Sequence, residues 1–228
     1  MAQHQDGDSR PDVARLSIGI FGGTGDEGRG LSRRFAMAGH RVIIGSRSTE
    51  RATAAAAACG RGLGVTGAEN ADAADQADIV IVAVPWEGHG ELLAALAGGL
   101  SGKIVVDCVN PLGFDAHGAY ALQVREGSAA QQAAALLPQS RVVGAFHHVS
   151  SVLLLDPEVA EVNMDVLVLG DDREATSLVQ ALAARIPGMR GIYAGRLRNC
   201  GQVEALTANL VAINRRYKAH AGLRVTDV

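Results

Sequence analysis

The feature that most constrains the fold is a glycine cluster between two apolar runs near the start of the chain. Leu16–Phe21 predicts a β-strand, Gly22–Gly28 (GGTGDEG) predicts a tight turn, and a helix then leads to a second strand at Arg41–Ile44. A strand, a glycine-rich turn, a helix and another strand within about thirty residues form the unit that carries a dinucleotide fingerprint. The glycines with the required G-x-G-x-x-G spacing are Gly23, Gly25 and Gly28.

Each glycine of this turn has a separate physical role. One permits the tight turn, one lets the backbone approach a pyrophosphate, and one lets the helix pack closely on the strand. The free N–H groups at the start of the helix then face the phosphates. Asp26 and Glu27 also lie in the turn, and we expect their side chains to point outward, because an inward carboxylate would weaken pyrophosphate binding.

The end of the second strand distinguishes between the two nicotinamide dinucleotides. NAD sites usually place Asp or Glu there to accept a hydrogen bond from the ribose 2′-hydroxyl, but this chain has Gly45, Ser46 and Arg47. A hydroxyl and a guanidinium bind a 2′-phosphate through charge-assisted hydrogen bonds, and Arg51 follows four residues later. We therefore predict NADP(H) binding; the alternative is that Arg47 and Arg51 are solvated surface charges.

Composition excludes several classes of function. The chain has 228 residues, 48% of them hydrophobic, a net charge of −3 and only 4% aromatic residues. A sizeable core is therefore expected, and neither a basic patch nor a base-stacking surface indicates nucleic-acid binding. No apolar run is long enough to span a membrane.

The cysteines and the N-terminal residues indicate where in the cell the protein is located. The three cysteines, Cys59, Cys108 and Cys200, are far apart and odd in number, which argues against a disulfide framework. Residues 1–15 contain no apolar stretch of the kind found in secretory signals. We expect reduced thiols, a cytoplasmic protein and a disordered leader over 1–15.

The order of apolar and helical segments predicts an α/β protein. Asp78–Val84 (DIVIVAV) and Lys103–Asp107 (KIVVD) are almost continuously apolar, as strands of a parallel sheet covered on both faces are. The alternation predicts a Rossmann-type doubly wound, mostly parallel sheet with a smaller C-terminal α/β part. We assign 16–145 to the NADP-binding domain and 146–228 to a smaller C-terminal domain.

Three segments at predicted strand ends are candidates for ligand contact, because open α/β sheets bind ligands at the carboxyl ends of their strands. They are Val84-Pro85-Trp86, Asn110-Pro111-Leu112-Gly113 and Phe146–Ser150. The second belongs to an irregular stretch, Cys108–Gly127, and long loops are usually functional. Trp86 is equally compatible with an aromatic wall of the site and with a core or interface residue.

His147 and His148 are adjacent, so on an extended chain they face opposite ways. This geometry is poor for a metal site, and no neighbouring carboxylate or cysteine in the sequence completes one; we predict no metal. We expect one imidazole to face the cofactor pocket and the other to be structural. The basic helix end at Asn214–His220 is either a solvated terminus or a site for an anionic substrate tail.

Six motifs occur in fixed order along the chain: GGTGDEGRGL (Gly22–Leu31), GSR (Gly45–Arg47), VPWEGH (Val84–His89), FHHVS (Phe146–Ser150), LVLGDD (Leu167–Asp172) and VEALT (Val203–Thr207). This ordered set resembles that of the NADPH-dependent reductases of coenzyme F420, also called F420:NADP oxidoreductases. The resemblance implies an oxidoreductase that passes a hydride between C4 of the nicotinamide and C5 of the 8-hydroxy-5-deazaflavin F420. It also implies a homodimer.

The resemblance assigns roles to individual residues. It implies that the 2′-phosphate region is held by Thr24, Ser46, Arg47 and Arg51. It implies that His147 and Val149 line the place where the two rings meet, and it matches Thr207 to the threonine of the family's last helix and Trp86 to its Pro-Trp pair. The remaining predicted cofactor contacts are Val84, Pro85, Asn110 and Pro111, together with the glycine-turn residues Gly23, Gly25, Asp26, Glu27 and Gly28.

Two other functions stay open at the level of the sequence. One is an NADP(H)-dependent reductase of another acceptor, such as a carbonyl, an imine, a flavin or ferric iron. The other is a redox sensor that binds NADP(H) and a protein partner without turnover.

Overall fold

A computed structural model describes residues 11–60 and 62–228 as alternating strands and helices. The strands are β1 (Ile18–Phe21), β2 (Val42–Ser46), β3 (Val65–Glu69), β4 (Ile79–Val82), β5 (Ile104–Asp107), β6 (Leu112–Asp115), β7 (Gly118–Ala121), β8 (Arg141–Gly144), β9 (Met164–Gly170) and β10 (Met189–Gly195). The helices are α1 (Asp26–Met37), α2 (Thr49–Ala58), α3 (Asn70–Gln76), α4 (Trp86–Leu96), α5 (Ala129–Leu136), α6 (Ser151–Leu155), α7 (Arg173–Ala183) and α8 (Cys200–Tyr217).

Eight of the described strands form one sheet, in the order β10-β9-β8-β5-β4-β1-β2-β3. Every neighbouring pair is parallel except β8 and β9, which are antiparallel. The chain leaves β1 towards β2 on one side and returns to β4 on the other, which creates the crevice where ligands of doubly wound sheets bind. The predicted Rossmann-type, mostly parallel fold is confirmed.

The central strands are apolar because both faces of the sheet are covered. All four residues of β1 are buried, and alternation directs Ile18 and Ile20 into one core while Phe21 packs into the other. Phe35 of α1 joins the first core and Leu93 of α4 joins the second. Two packed faces hold the strand ends rigidly, which is what a site built on those ends requires.

The C-terminal strands β9 and β10 extend the same sheet. The proposed boundary between 145 and 146 therefore lies next to β8, inside a continuous layer, and the two-domain division stays a prediction. Most of the predicted leader lies outside the described residues. Within its described part, Val13 is only 4% exposed, so this side chain is packed rather than solvated.

Two elements were absent from the sequence prediction. The irregular stretch at Cys108–Gly127 contains the antiparallel hairpin β6–β7, and the short helix α6 follows the paired histidines. Gly113 of this hairpin packs so closely on Tyr120 that a Cβ would lie 2.4 Å from the ring carbon Cζ if the ring did not move. Glycines and exposed polar residues hide the strand pattern here, because a two-stranded hairpin buries little of either face.

None of the helices in the described part of the chain combines the length and the apolar character that a bilayer crossing requires.

Candidate active site

The glycine turn brings the chain so close to its neighbours that side chains are excluded. Gly22 has a φ of 76°, and a Cβ there would overlap the carbonyl oxygen of Ala83 beyond β4. A Cβ on Gly23 would lie 2.6 Å from Cγ2 of Ile44, and one on Gly28 would lie 2.6 Å from the oxygen of Gly22. The turn is thus pressed against β2 and β4, which leaves its outer side open to a pyrophosphate.

Helix α1 begins without a side-chain cap. Gly25 occupies the N-cap position and offers no side-chain acceptor, so the first N–H groups of α1 have no partner within the helix. These donors and the helix dipole favour an anion at this point. The geometry fits the pyrophosphate of a dinucleotide.

The end of β2 excludes the carboxylate that an NAD site uses. A Cβ at Gly45 would lie 2.7 Å from Oδ1 of Asn70 and 2.8 Å from Cδ1 of Phe21. Ser46 is half-buried, while Arg47 and Arg51 are exposed, and neither guanidinium forms an ion pair with another described residue. Two unpaired cations beside a hydroxyl fit a 2′-phosphate.

Helix α2 presents one of these cations. Ser48 caps α2, and its Oγ accepts a hydrogen bond from the backbone N–H of Arg51 at 3.3 Å. The cap lies two residues after the end of β2, so Arg51 falls in the first turn of α2, four residues after Arg47. Thr24 lies half-exposed in the glycine turn that faces this strand end.

The segment after β4 lies at the same edge of the sheet but outside the pocket described below. Val84 and Trp86 are half-buried and Pro85 is exposed. The indole of Trp86 packs against the imidazole of His89, with ring centroids 5.6 Å apart and planes tilted by 30°. The position of the Trp86 indole is therefore fixed by packing against His89 of the same helix, α4.

A cavity of about 270 Å³ lies between the start of α1, the ends of β5 and β8, and α8. We call it the central pocket. It brings together Glu27, Asn110, His147, Val149 and Thr207, all predicted from the sequence. Its other lining residues are His148, Ser150, Ser151, Val152, Leu210, Val211, Asn214, His220 and Ala221. Pro111 is buried next to Asn110 but does not line this pocket.

Three of the predicted residues are joined by hydrogen bonds. Nδ2 of Asn110 donates to the carbonyl oxygen of His147 at 2.7 Å, and Oγ1 of Thr207 donates to the same oxygen at 3.1 Å. Oγ1 of Thr207 also lies 3.3 Å from Oδ1 of Asn110. The long loop and the last helix thereby fix the backbone of the histidine segment.

His147 and His148 both line the central pocket, and the expectation that one imidazole faces the cofactor while the other is structural stays a prediction. The chain is not extended there: Phe146 has a φ of 63°, and the N–H of Val149 donates to the carbonyl of Phe146 at 3.2 Å. This turn places both residues at the central pocket, while a ring nitrogen of His147 lies within 4.8 Å of Sγ of Cys200. Left-handed backbone at a buried phenylalanine is costly and is tolerated mostly at functional sites.

Neither histidine has a hydrogen-bond partner for its ring nitrogens among the described residues. Burial lowers the pKa of His147, and burial together with the neighbouring His147 lowers the pKa of His148 to about 4. Both rings are therefore neutral at pH 7. Their free nitrogens are buried polar atoms that a bound ligand can satisfy.

The two carboxylates of the glycine turn behave differently. Asp26 is exposed and pairs with Arg29 at 2.5 Å, as expected. Glu27 instead turns inward to line the central pocket, and its Oε1 is buried without a partner. Burial raises the pKa of Glu27 to about 8. The expectation that Glu27 points outward is wrong, because its side chain enters the space enclosed by the start of α1, the ends of β5 and β8, and α8.

A second layer of buried polar groups supports the pocket, and sequence reasoning missed it. Nε2 of His89 lies 2.6 Å from Oδ2 of Asp107, and its Nδ1 lies 3.0 Å from Oε1 of Gln132. The one signal in the sequence was the acidic residue that ends the otherwise apolar strand β5. His89 therefore holds a position between α4, β5 and α5 directly behind the strand ends.

One cluster of ligand-type side chains lies beside His147. Ligand atoms of His147, Cys200 and Glu204 lie within 4.8 Å of one another and are buried. Glu204 is already engaged, because its two carboxylate oxygens accept hydrogen bonds from the N–H groups of Ala129 and Ala130 at 2.8 and 3.2 Å. Its role is to cap the start of α5 from α8.

Comparisons with known proteins agree with this geometry. Residues 17–111 match the family described as NADP oxidoreductase coenzyme F420-dependent. The F420-dependent NADP reductase of Methanothermobacter thermautotrophicus is 39% identical over 95% of this chain and 97% of its own length. The enzyme of the same name from Methanocaldococcus jannaschii is 37% identical over 93% of this chain and 99% of its own.

A solved structure is similar over nearly the same length. It is described as a putative F420-dependent NADP reductase from Arthrobacter sp. FB24, with a TM-score of 0.80 and 27% identity. The match covers 92% of this chain and 99% of that one. The resemblance of the six motifs therefore extends to the whole described fold.

Proposed function

This chain belongs to the family of coenzyme F420-dependent NADP oxidoreductases, and from that premise we propose that it transfers a hydride between NADP(H) and F420 in the central pocket. The protein has little covalent chemistry to perform, because the two carriers exchange the hydride directly. Its task is to align two flat rings and to exclude water. Both NADP(H) and F420 are substrates that leave after each turnover.

The observation that carries the proposal is the position of the central pocket relative to the glycine turn. The cations of β2 and α2 lie on one side of α1, which supports placing the adenosine and its 2′-phosphate there. The nicotinamide half then extends to the opposite side, towards β4, β5 and β8. The central pocket opens on that side.

We assign the two halves of the site accordingly. The NADP(H) half comprises Gly23, Thr24, Gly25, Gly28, Ser46, Arg47 and Arg51, with Val84, Pro85 and Trp86 at the next strand end. The ring-contact half comprises His147, Val149 and Thr207, with Asn110 and the buried Pro111 supporting them. This division also motivates residues 16–145 and 146–228 as functional units, since the second supplies most of the ring-contact half.

The decisive experiment mixes the purified protein with NADPH and oxidised F420. Loss of the visible absorbance of the deazaflavin together with consumption of NADPH is the expected result. If the absorbance persists and NADPH is not consumed, the proposed function is wrong. Turnover of a carbonyl, an imine, a flavin or ferric iron without F420 would instead support the other reductase hypothesis.

Two coarser properties belong to the same proposal. Large apolar side chains are exposed on the hairpin β6–β7 and on α8, among them Phe114 (69%) and Tyr217 (73%). An exposed apolar face of this kind supports a homodimer formed through it. The compartment has separate support, since the three cysteines are buried and unpaired, as expected of a cytoplasmic protein. Sedimentation of wild type and of Phe114→Glu tests the dimer; a wild-type monomer contradicts it.

A further inference from the structure

Glu27 is the one carboxyl group among the described residues that lines the central pocket. It is the second residue of α1, two positions after Gly25 of the fingerprint. Its Oε1 is buried and accepts no hydrogen bond from any described residue. An unpaired buried carboxyl is costly unless it is protonated or a ligand provides a partner, so its position needs an explanation.

The groups that face Glu27 do not supply a fixed positive charge. On α1, Arg29 is engaged by the exposed Asp26. Cys108 beyond β5 is buried, and its pKa is raised well above the usual value by burial and then by Glu27. His147 and His148 are neutral at pH 7, because burial lowers the pKa of each. His220 lines the far side of the pocket from the exposed C-terminal segment.

The bound nucleotide brings to this pocket a charge that depends on its oxidation state. A reduced nicotinamide is neutral, and an oxidised nicotinamide is a cation. With the pyrophosphate at the start of α1, a nicotinamide in the central pocket would share that pocket with Glu27 of the first helical turn. A cation in a site shielded from water favours the ionised form of a nearby carboxyl, and the dipole of α1 favours it as well.

We propose that Glu27 is a redox-linked proton site: its carboxyl carries a proton when reduced nicotinamide is bound and loses it when oxidised nicotinamide is bound. This inference rests on the proposed function. In the forward direction the C4–H bond of the nicotinamide breaks and its electron pair forms the C5–H bond of the deazaflavin. Reduction of the deazaflavin consumes one further proton. The ionisation of Glu27 releases one proton in the same step, so protons, electrons and charge in the pocket balance.

The proton count can be measured without turnover. Titration calorimetry of wild type with NADP⁺ and with NADPH, in buffers of different ionisation enthalpy at pH 7, gives the protons released on binding. We expect close to one proton more for NADP⁺ than for NADPH, because the pKa of Glu27 is about 8 before binding. The 2′-phosphate is common to both nucleotides, so its own titration cancels in the difference.

The pH dependence has a defined sign. Protonated Glu27 carries no negative charge with which to stabilise the cationic ring. The affinity for NADP⁺ relative to NADPH should therefore fall as the pH is lowered from 8. The expected slope is roughly tenfold per pH unit until the pH falls below the pKa in the complex. A ratio of affinities that does not change between pH 6 and 8 would overturn the inference.

Matched variants assign the proton to this side chain. Glu27→Gln preserves the shape and a neutral hydrogen-bonding group and should abolish the difference in proton release, as should Glu27→Leu. Glu174→Gln alters an exposed carboxyl in the first turn of α7 and should retain the difference. Equal proton release by Glu27→Gln and wild type would assign the proton to another group. If wild type reduces F420 but shows no difference, this inference fails while the proposed function stands.

Discussion

At the scale of single residues, the predicted specificity for NADP(H) depends on Arg47 and Arg51. Arg47 follows β2 and Arg51 lies in the first turn of α2; both are exposed, and neither pairs with another described residue. Gly45 leaves no room for the acidic side chain that binds an unphosphorylated ribose. The preference for NADP(H) therefore has two sources: the arginines attract the 2′-phosphate, and Gly45 excludes an acidic side chain. The contribution of the arginines can be tested by itself.

Arg47→Glu should weaken NADPH binding by roughly 2–3 kcal/mol, because a charge-assisted hydrogen bond becomes a repulsion. NADH lacks the 2′-phosphate, so its affinity should change far less. Titration calorimetry with both nucleotides measures the two effects. Arg173→Glu, an exposed arginine at the start of α7, is the matched control and should leave both affinities unchanged. Equal losses for NADPH and NADH in Arg47→Glu would contradict the assignment.

His147→Ala should slow hydride transfer by roughly tenfold or more, while changing the affinity for NADPH less, because small misplacements of reacting groups reduce rates steeply. His147 lines the central pocket, and its carbonyl is held by Asn110 and Thr207. Single-turnover kinetics and NADPH titration separate the two effects. His117→Ala, on the exposed turn of the hairpin, serves as the control. A change confined to NADPH binding would move His147 to the other half of the site.

At the scale of elements, α1 holds both the glycine turn and the wall of the central pocket. Arg34 of α1 is 2% exposed and donates hydrogen bonds to three carbonyls at the end of α6, those of Leu153, Leu154 and Asp156. Gly30 lets the two helices approach, since a Cβ there would lie 2.6 Å from Cβ of Leu154. Helix α6 in turn follows directly on the histidine turn.

Arg34→Lys should destabilise the protein by roughly 2–3 kcal/mol, because an ammonium cannot reproduce the fork of donors that satisfies three carbonyls. The amides of α6 should exchange with solvent faster than in wild type. Denaturant unfolding and hydrogen exchange measure the two effects. The control is Arg41→Lys, because Gln76 is the one described residue to which the exposed guanidinium of Arg41 donates a hydrogen bond. Unchanged protection of α6 would show that Arg34 does not anchor it.

At the scale of the whole molecule, one buried aspartate ties the C-terminal segment to the edge of the sheet. Asp165 of β9 accepts hydrogen bonds from Arg190 at 2.6 and 2.7 Å, from Arg224 at 2.7 Å and from the N–H of Val225 at 2.7 Å. The pKa of Asp165 lies well below its usual range, mainly because of the hydrogen bonds from Arg190. Because His220 and Ala221 line the central pocket, this anchor also bears on the site.

Asp165→Ala should lower the free energy of unfolding at pH 7 by roughly 3 kcal/mol, because two cations lose a buried partner. A carboxyl with a depressed pKa stabilises the fold above its unfolded pKa, near 4, and this stabilisation disappears as the pH falls below that value. The difference between variant and wild type should therefore shrink in acid. Chemical denaturation at several pH values measures it. Asp171→Ala removes an exposed carboxylate and should cost far less; a gap that is independent of pH would exclude Asp165 as the titrating group.

The sequence alone predicted what depends on local spacing. The glycine turn, the missing carboxylate after β2 and the apolar strands follow from short-range geometry, and they specified a doubly wound sheet that holds NADP(H) at its strand ends. The candidate residues Asn110, His147, Val149 and Thr207 followed from motifs at strand ends and in the last helix. The structure brings these four together, because parallel strands place their carboxyl ends at one edge.

Only the tertiary structure decided which side chains are buried together. Three features depend on segments far apart in the chain: the inward position of Glu27, the burial of His147 and His148 at the central pocket, and the anchoring of the C-terminal segment on Asp165. Burial fixes the protonation of such groups, and burial is a property of packed elements rather than of residue spacing. The chemistry proposed for Glu27 therefore becomes visible only once α1, β5, β8 and α8 enclose it.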